Sequence, residues 1–165
     1  MTIYTNDTIV RVETFTDQLG GQVMINHLQK QKGYLLVERG FDKFAIQIPE
    51  NESSVSRYRY EKIRGKKKVL GMKSKKLKVK VVDFPQDLDF FYNKKISSKS
   101  IPGFESFPGL LTDYFVVSKD GVYHYELIEM NNEPLSKDLF GIPSDYKRIS
   151  MSDFVDVMTG GVEEE

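Results

Sequence analysis

Residues 73–82 constrain the fold more than any other stretch of the chain. Lys76, Lys78 and Lys80 alternate there with Leu77, Val79 and Val81. A period of two places the lysines on one face of an extended strand and the aliphatics on the other, whereas a helix repeats its faces every ~3.6 residues. One wet face and one buried face make the half-buried strand of an antiparallel sheet. The same pattern recurs where Phe44, Ile46 and Ile48 alternate with Lys43, Ala45 and Gln47, and where Tyr58 and Tyr60 alternate with Arg57 and Arg59. Runs rich in β-branched and aromatic residues predict further strands at 9–15, 23–28, 34–38, 88–92, 114–117 and 122–130.

Turn signals separate these runs at Gly20-Gly21, Gln31-Lys32-Gly33 and Arg39-Gly40. The Asp120-Gly121 pair between two β-rich runs is a hairpin signal. Residues 49–56 read as a polar loop and residues 96–109, rich in Ser, Gly and Pro, as a long loop. Segment 16–19 is too short for a helix. One helix is predicted over 150–158, with Ser150 or Ser152 as cap, Asp153 in the first turn and Gly160-Gly161 at its end. The expected fold is mainly β (α+β): a curved antiparallel sheet or half-barrel, covered by a short C-terminal helix and a long loop. Residues 1–159 are expected to form a single β-rich domain and residues 160–165 a frayed tail.

A chain of 165 residues buries a core without needing metals or disulfides. Its 24 basic and 24 acidic residues cancel, which argues against nucleic acid as the main partner, because that binding rests on neutralising phosphates. With no cysteine there is no disulfide, thiolate metal site or cysteine nucleophile. No apolar run is long enough for a transmembrane segment. Met1-Thr2-Ile3-Tyr4 opens directly into strand-like sequence, with no leader. The chain is thus either cytoplasmic or a mature exported protein with its leader removed, and the immediate opening favours export.

Candidate chemistry is sparse. Lys66-Lys67-Lys68 with Lys73, Lys75, Lys76, Lys78 and Lys80 form either an anion-binding surface or, the preferred reading, a solvated strand face that guards an edge. His27 and His124 lie in predicted strands. His124 shares a face only with Glu126, too few ligands for zinc. Asp87 and Asp89 are about 7 Å apart on one strand face, a spacing open to glycoside hydrolysis but more often that of solvated acids. There is no Gly-x-Ser-x-Gly elbow, and Gly65-Lys66-Lys67 lacks the preceding glycine of a phosphate loop. No catalytic residue, metal site or cofactor is therefore assigned.

The aromatic load says more. Eleven Phe and nine Tyr, with no Trp, fall largely in strands. Adjacent aromatics in Phe90-Phe91-Tyr92 and Tyr114-Phe115 point to opposite faces, so both faces of those strands need a cover: the helix, the long loop or a ligand. Plain core packing and an apolar groove are the two readings.

Three segments carry a family resemblance. They are Val69-Leu70-Gly71-Met72-Lys73-Ser74-Lys75-Lys76-Leu77, Phe107-Pro108-Gly109-Leu110-Leu111 and Phe140-Gly141-Ile142-Pro143-Ser144-Asp145-Tyr146-Lys147. Together, over roughly residues 60–155, they resemble the GLPGLI-type and related uncharacterised envelope proteins of Bacteroidetes. Those are similar to the periplasmic lipoprotein-carrier fold, a curved half-barrel closed by helices. Met72 or Ser74 stands where that family has cysteine, and Phe107 where it has leucine. The resemblance implies a periplasmic or outer-membrane location, no enzyme activity, and binding of a lipid or lipoprotein acyl chain. The expected lining is Tyr34, Leu36, Phe44, Ile46, Phe90, Tyr92 and Tyr114. Two rival expectations are a module that buries the same aromatics in a partner protein of the envelope, and a hydrolase built on Asp87 and Asp89.

Overall fold

The computed structural model describes residues 1–6, 8–16, 20–30, 32–48 and 57–159. The strands are β1 (Thr2–Thr5), β2 (Ile9–Thr16), β3 (Gly20–His27), β4 (Lys32–Arg39), β5 (Asp42–Ile48), β6 (Tyr58–Val69), β7 (Met72–Val81), β8 (Leu88–Asn93), β9 (Leu110–Val117), β10 (Val122–Glu126) and β11 (Lys147–Ser150). A 3-10 turn spans Lys137–Phe140, and one helix, α1, spans Met151–Thr159. The fold is mainly β, in two sheets that do not close into a barrel.

The chain divides into two compact units, Met1–Glu52 with Pro134–Glu165, and Ser53–Glu133 inserted between them. Sequence patterning, which suggests one domain over 1–159, carries no marker of this division, since both units use the same strand and turn signals. The segment 16–19, Gln31, the loop 49–56 and the tail 160–165 fall wholly or partly outside the described residues.

The first unit orders its strands β1-β2-β3-β4-β5-β11. The first five form an antiparallel meander, and β11 then joins β5 in parallel, Ile149 opposite Ile46. Gly20 and Gly21 do not break the chain but begin β3, paired with Thr16 and Phe15. Lys32 and Gly33 likewise belong to β4 rather than to a turn. Paired glycines cost a strand some stability but leave its hydrogen bonds intact. Ile25, Leu36 and Ala45 form the core on one face, with Val23, Ile142 and Tyr146 packed against them. Phe44 and Ile46, one residue off, face the other way, and Phe154 of α1 meets the Phe44 ring edge-on at 5.7 Å. The helix begins with a reciprocal cap: the Asp153 N–H donates to Ser150 Oγ (3.0 Å), and the Ser150 N–H donates to Asp153 Oδ2 (3.4 Å).

The second unit is an antiparallel meander ordered β10-β9-β8-β7-β6. The β7 alternation holds: Leu77, Val79 and Val81 are buried, and Lys78 and Lys80 exposed. The Asp120-Gly121 signal also holds, with the Ser118 N–H donating to the Gly121 carbonyl (2.9 Å) between β9 and β10. Strand β6 runs through a bulge between Lys62 and Lys66 to Val69. A two-residue turn, Leu70-Gly71, then leads into β7, both residues at positive φ (47° and 74°). Two positive φ values fit the right-handed twist of a hairpin. Strand β10 stops at Glu126, short of the run expected to reach Met130.

Candidate functional site

The long loop is the main determinant of the second unit's interior. Its residues 98, 101, 104 and 107 are linked by three successive turns: the Ile101 N–H donates to the Ser98 carbonyl, Phe104 to Ile101, and Phe107 to Phe104. A three-residue repeat brings the same side of the chain round each time. Ile101, Phe104 and Phe107 are accordingly all buried. The Ser98 hydroxyl lies 2.9 Å from the Glu105 carbonyl and 2.8 Å from that of Phe107, tying the loop to itself.

This loop fills the aromatic face of the sheet. Phe107 stacks on Phe90 with centroids 5.9 Å apart, and Phe104 meets Tyr114 edge-on at 5.2 Å. Tyr58 and Tyr60 close on Phe104 and Phe107 at 4.8 and 4.9 Å. Burial pushes the Tyr114 hydroxyl well above the usual phenol range. Gly109 brings the loop back to β8 so closely that a Cβ would lie 2.2 Å from the Asn93 carbonyl oxygen. The Pro108-Gly109-Leu110 segment is thus a backbone crossing at which only glycine fits.

The opposite face of β8 and β9 is covered by charged groups. The Lys67 ammonium sits 5.0 Å above the Phe91 ring, and His124 stacks on Phe115 at 4.6 Å. Asp113, with only a tenth of its side chain exposed, joins the two: it pairs with Lys67 and receives His124 Nε2 at 2.8 Å. The Asp113 hydrogen bond holds Lys67 above its ordinary pKa, against the downward pull of burial. Glu126 reaches Lys67 (3.4 Å) rather than His124. Thr112 donates to Ser74 (2.9 Å) among the buried groups alongside. Among the described residues no three His, Asp or Glu side chains converge as metal ligands.

The first unit is built differently. Its core face is covered by Ile142 and Tyr146, the residues of the Ile-Pro-x-x-Tyr segment. Tyr146 donates to Glu38 Oε1 at 2.6 Å, and Lys43 bridges Glu38 (3.5 Å) and Asp145 (2.8 Å). Burial and the Glu38 bond push the Tyr146 hydroxyl up to about 12. The same bond, helped by Lys43, holds Glu38 below its ordinary range, and the Lys43 bond does the same for Asp145. Beyond Tyr146 an open groove of about 470 Å³ remains, lined in part by Phe15, Gly21, Val23, Leu36 and Glu38. Phe15 is 74 % exposed, and none of the described residues lies within 4 Å of where a Gly21 Cβ would be.

The seven residues expected to line one groove are therefore divided. Phe90, Tyr92 and Tyr114 belong to the second unit, the first and last of them in the filled aromatic face. In the first unit, Tyr34 and Leu36 point to one side of the sheet and Phe44 and Ile46 to the other. Phe44, Ile46 and Leu36 are all buried, at 7 %, 0 % and 3 % exposed, and Leu36 also touches the open groove. Tyr34 lies 5.9 Å from the Arg148 guanidinium. Asp87 and Asp89 are ion-paired with Lys78 (3.8 Å) and Lys76 (2.6 Å). Sequence reasoning misses Ile101, Phe104 and Phe107, although their spacing of three is visible in the loop. It also misses Phe15 and Tyr146 as groove residues, because nothing local marks them as neighbours. No helix of the described residues is long and apolar enough to cross a membrane.

No family model, no curated protein and no solved structure matches the chain.

Proposed function

We propose that this is a non-enzymatic cell-envelope protein that binds an apolar ligand, a lipid or lipoprotein acyl chain, in the groove of its first unit. The observation that carries this reading is the exposed Phe15 beside an open groove of about 470 Å³, whose lining includes Val23 and the buried Leu36 alongside Glu13, Gln22 and Glu38. Such a volume lies within the range of roughly 300–1,000 Å³ typical of ligand pockets. Covering that surface supplies the driving force, about 25 cal/mol per Å² of apolar area removed from water. The filled aromatic face of the second unit favours the first unit as the place of binding. The envelope location is supported by the three-segment resemblance. The non-enzymatic reading is supported by the sequence, which lacks thiols, a serine elbow and a phosphate loop, and by the ion pairing of Asp87 and Asp89.

Native mass spectrometry of the protein purified from its own cells tests the reading, with displacement of a fluorescent fatty acid as the titration. A co-purified lipid is expected, and Phe15→Ser should weaken fatty-acid binding about tenfold, as loss of one buried aromatic contact would. Protein free of lipid that also leaves the fluorescent probe unbound would sink it.

A second reading has its own observation. Phe41, at the tip of the β4–β5 hairpin, is fully exposed, and Phe15 is mostly so. A partner protein burying both would make this unit an interaction module. In-cell cross-linking that recovers a single protein through Phe41 and Phe15, with no lipid, would select it.

A further inference from the structure

In the second unit's sheet, a pocket of about 280 Å³ opens beside the β6 bulge. Lys62, Arg64, Lys66, Lys73, Lys75 and Lys76 line it, with no carboxylate among the lining residues. We infer that this pocket is a binding site for a polyanion, a ligand carrying two or more phosphate or sulfate groups.

Charge is the first support. Lys43, Lys67, Lys76 and Lys78 each have a carboxylate partner. Lys62, Arg64, Lys66, Lys73 and Lys75 have none among the described residues, in a chain whose total charge is zero. Lys66 stands directly opposite Lys75, and Lys68 opposite Lys73. Like charges facing each other across a strand pair are destabilising. A bound polyanion relieves that repulsion, and more than one anionic group is needed to match five free cations.

Backbone geometry is the second. Lys62 pairs with Leu77 and Lys66 with Lys75, so Ile63, Arg64 and Gly65 stand opposite Lys76 alone. A bulge of this kind re-aims side chains and is common beside binding sites. Gly65 makes it possible: its φ is +153°, and a Cβ there would lie 3.0 Å from Lys76 Cβ and Cδ. Tyr92, 4 % exposed, also lines the pocket.

Edge protection explains only part of this. Strand β6 is a sheet edge, where exposed lysines discourage aggregation. Strand β7 is interior where Lys75 pairs with Tyr92 of β8, so Lys75 guards no edge.

Isothermal titration with sodium tripolyphosphate tests the site, using wild type, K73Q/K75Q, and K80Q/K119Q as a charge-matched control elsewhere on the unit. All four lysines are exposed, so the folds should be retained, and circular dichroism checks this. Wild type should bind one tripolyphosphate, more tightly than orthophosphate. K73Q/K75Q should bind about tenfold more weakly, from the loss of two near-contact charges, and K80Q/K119Q should match wild type. Phosphatidylcholine vesicles with and without a phosphorylated inositol lipid separate the sources. Vesicle binding lost in K73Q/K75Q identifies a headgroup, and tripolyphosphate binding alone a soluble ligand. No binding by wild type, equal loss in both double variants, or tight binding of a DNA duplex without tripolyphosphate binding would overturn the inference.

Discussion

Each unit is an antiparallel meander with an apolar face, and the two faces are closed by different parts of the chain. In the second unit the cover is local: the loop between β8 and β9 folds back and fills the sheet with Ile101, Phe104 and Phe107. In the first unit it arrives from far along the chain, as Ile142 and Tyr146 after the whole inserted unit has been traversed. The local cover packs ring on ring. The distant one reaches only part of its sheet and leaves the groove at Phe15 and Val23 open. A cover built by a loop with its own internal turns can be tuned residue by residue to the face beneath it. A returning segment that must also pair as β11 has less freedom to do so.

The sharpest way to break this contrast is to empty the local cover. Phe107→Ala should cost about 3–5 kcal/mol, the usual penalty for removing a fully packed ring, read from the urea midpoint and amide exchange in β8 and β9. A loss under about 1 kcal/mol would mean that the loop rests on the sheet without filling it. Gly109→Ala tests the crossing rather than the packing. With backbone 2.2 Å from the new Cβ, the loop must shift, at a cost of about 3 kcal/mol. The counterpart in the first unit is Ile142→Ala. Ile142 is only partly buried, so about 1–2 kcal/mol is expected, and a cost equal to that of Phe107→Ala would erase the distinction between the two covers.

The smallest effect is also the most diagnostic of how the distant cover is held. Glu38 has a folded pKa below its ordinary 4.5, so its bond to Tyr146 contributes stability above pH 4.5 that is lost as pH falls through the depressed value. Tyr146 is raised from 10.0 to about 12, so its contribution is complete below pH 10.0 and lost as pH rises through about 12. The advantage of wild type over Tyr146→Phe should therefore be flat between pH 4.5 and 10.0 and decline on both sides. Chemical denaturation across that range checks it, and an advantage independent of pH would remove the hydrogen bond from the account.

Much of the strand framework was legible. The lysine–aliphatic alternation of β7, the Asp120-Gly121 turn and the Ser150 cap of α1 all stand where local patterns place them. Strand β11 was not, because four residues with one apolar side chain give no periodic signal, and their pairing with β5 depends on an element far away in sequence. The candidate groove was legible only at Leu36. Phe15 reads as one more strand aromatic, and Tyr146 as the end of a Pro turn, until the sheet register brings them together.

The lysine–aliphatic alternation of β7 marks the limit on both sides. Which residues extend, which side each faces and where the chain turns follow from the sequence alone, because they depend on backbone sterics and the period of neighbouring side chains. Tertiary structure alone decided what lies over each face: a loop of stacked rings on one side of β8, Lys67 and His124 on the other, and a partial cover in the first unit. Those choices rest on contacts between residues distant in the chain, and such contacts leave no periodic mark in a local window of sequence.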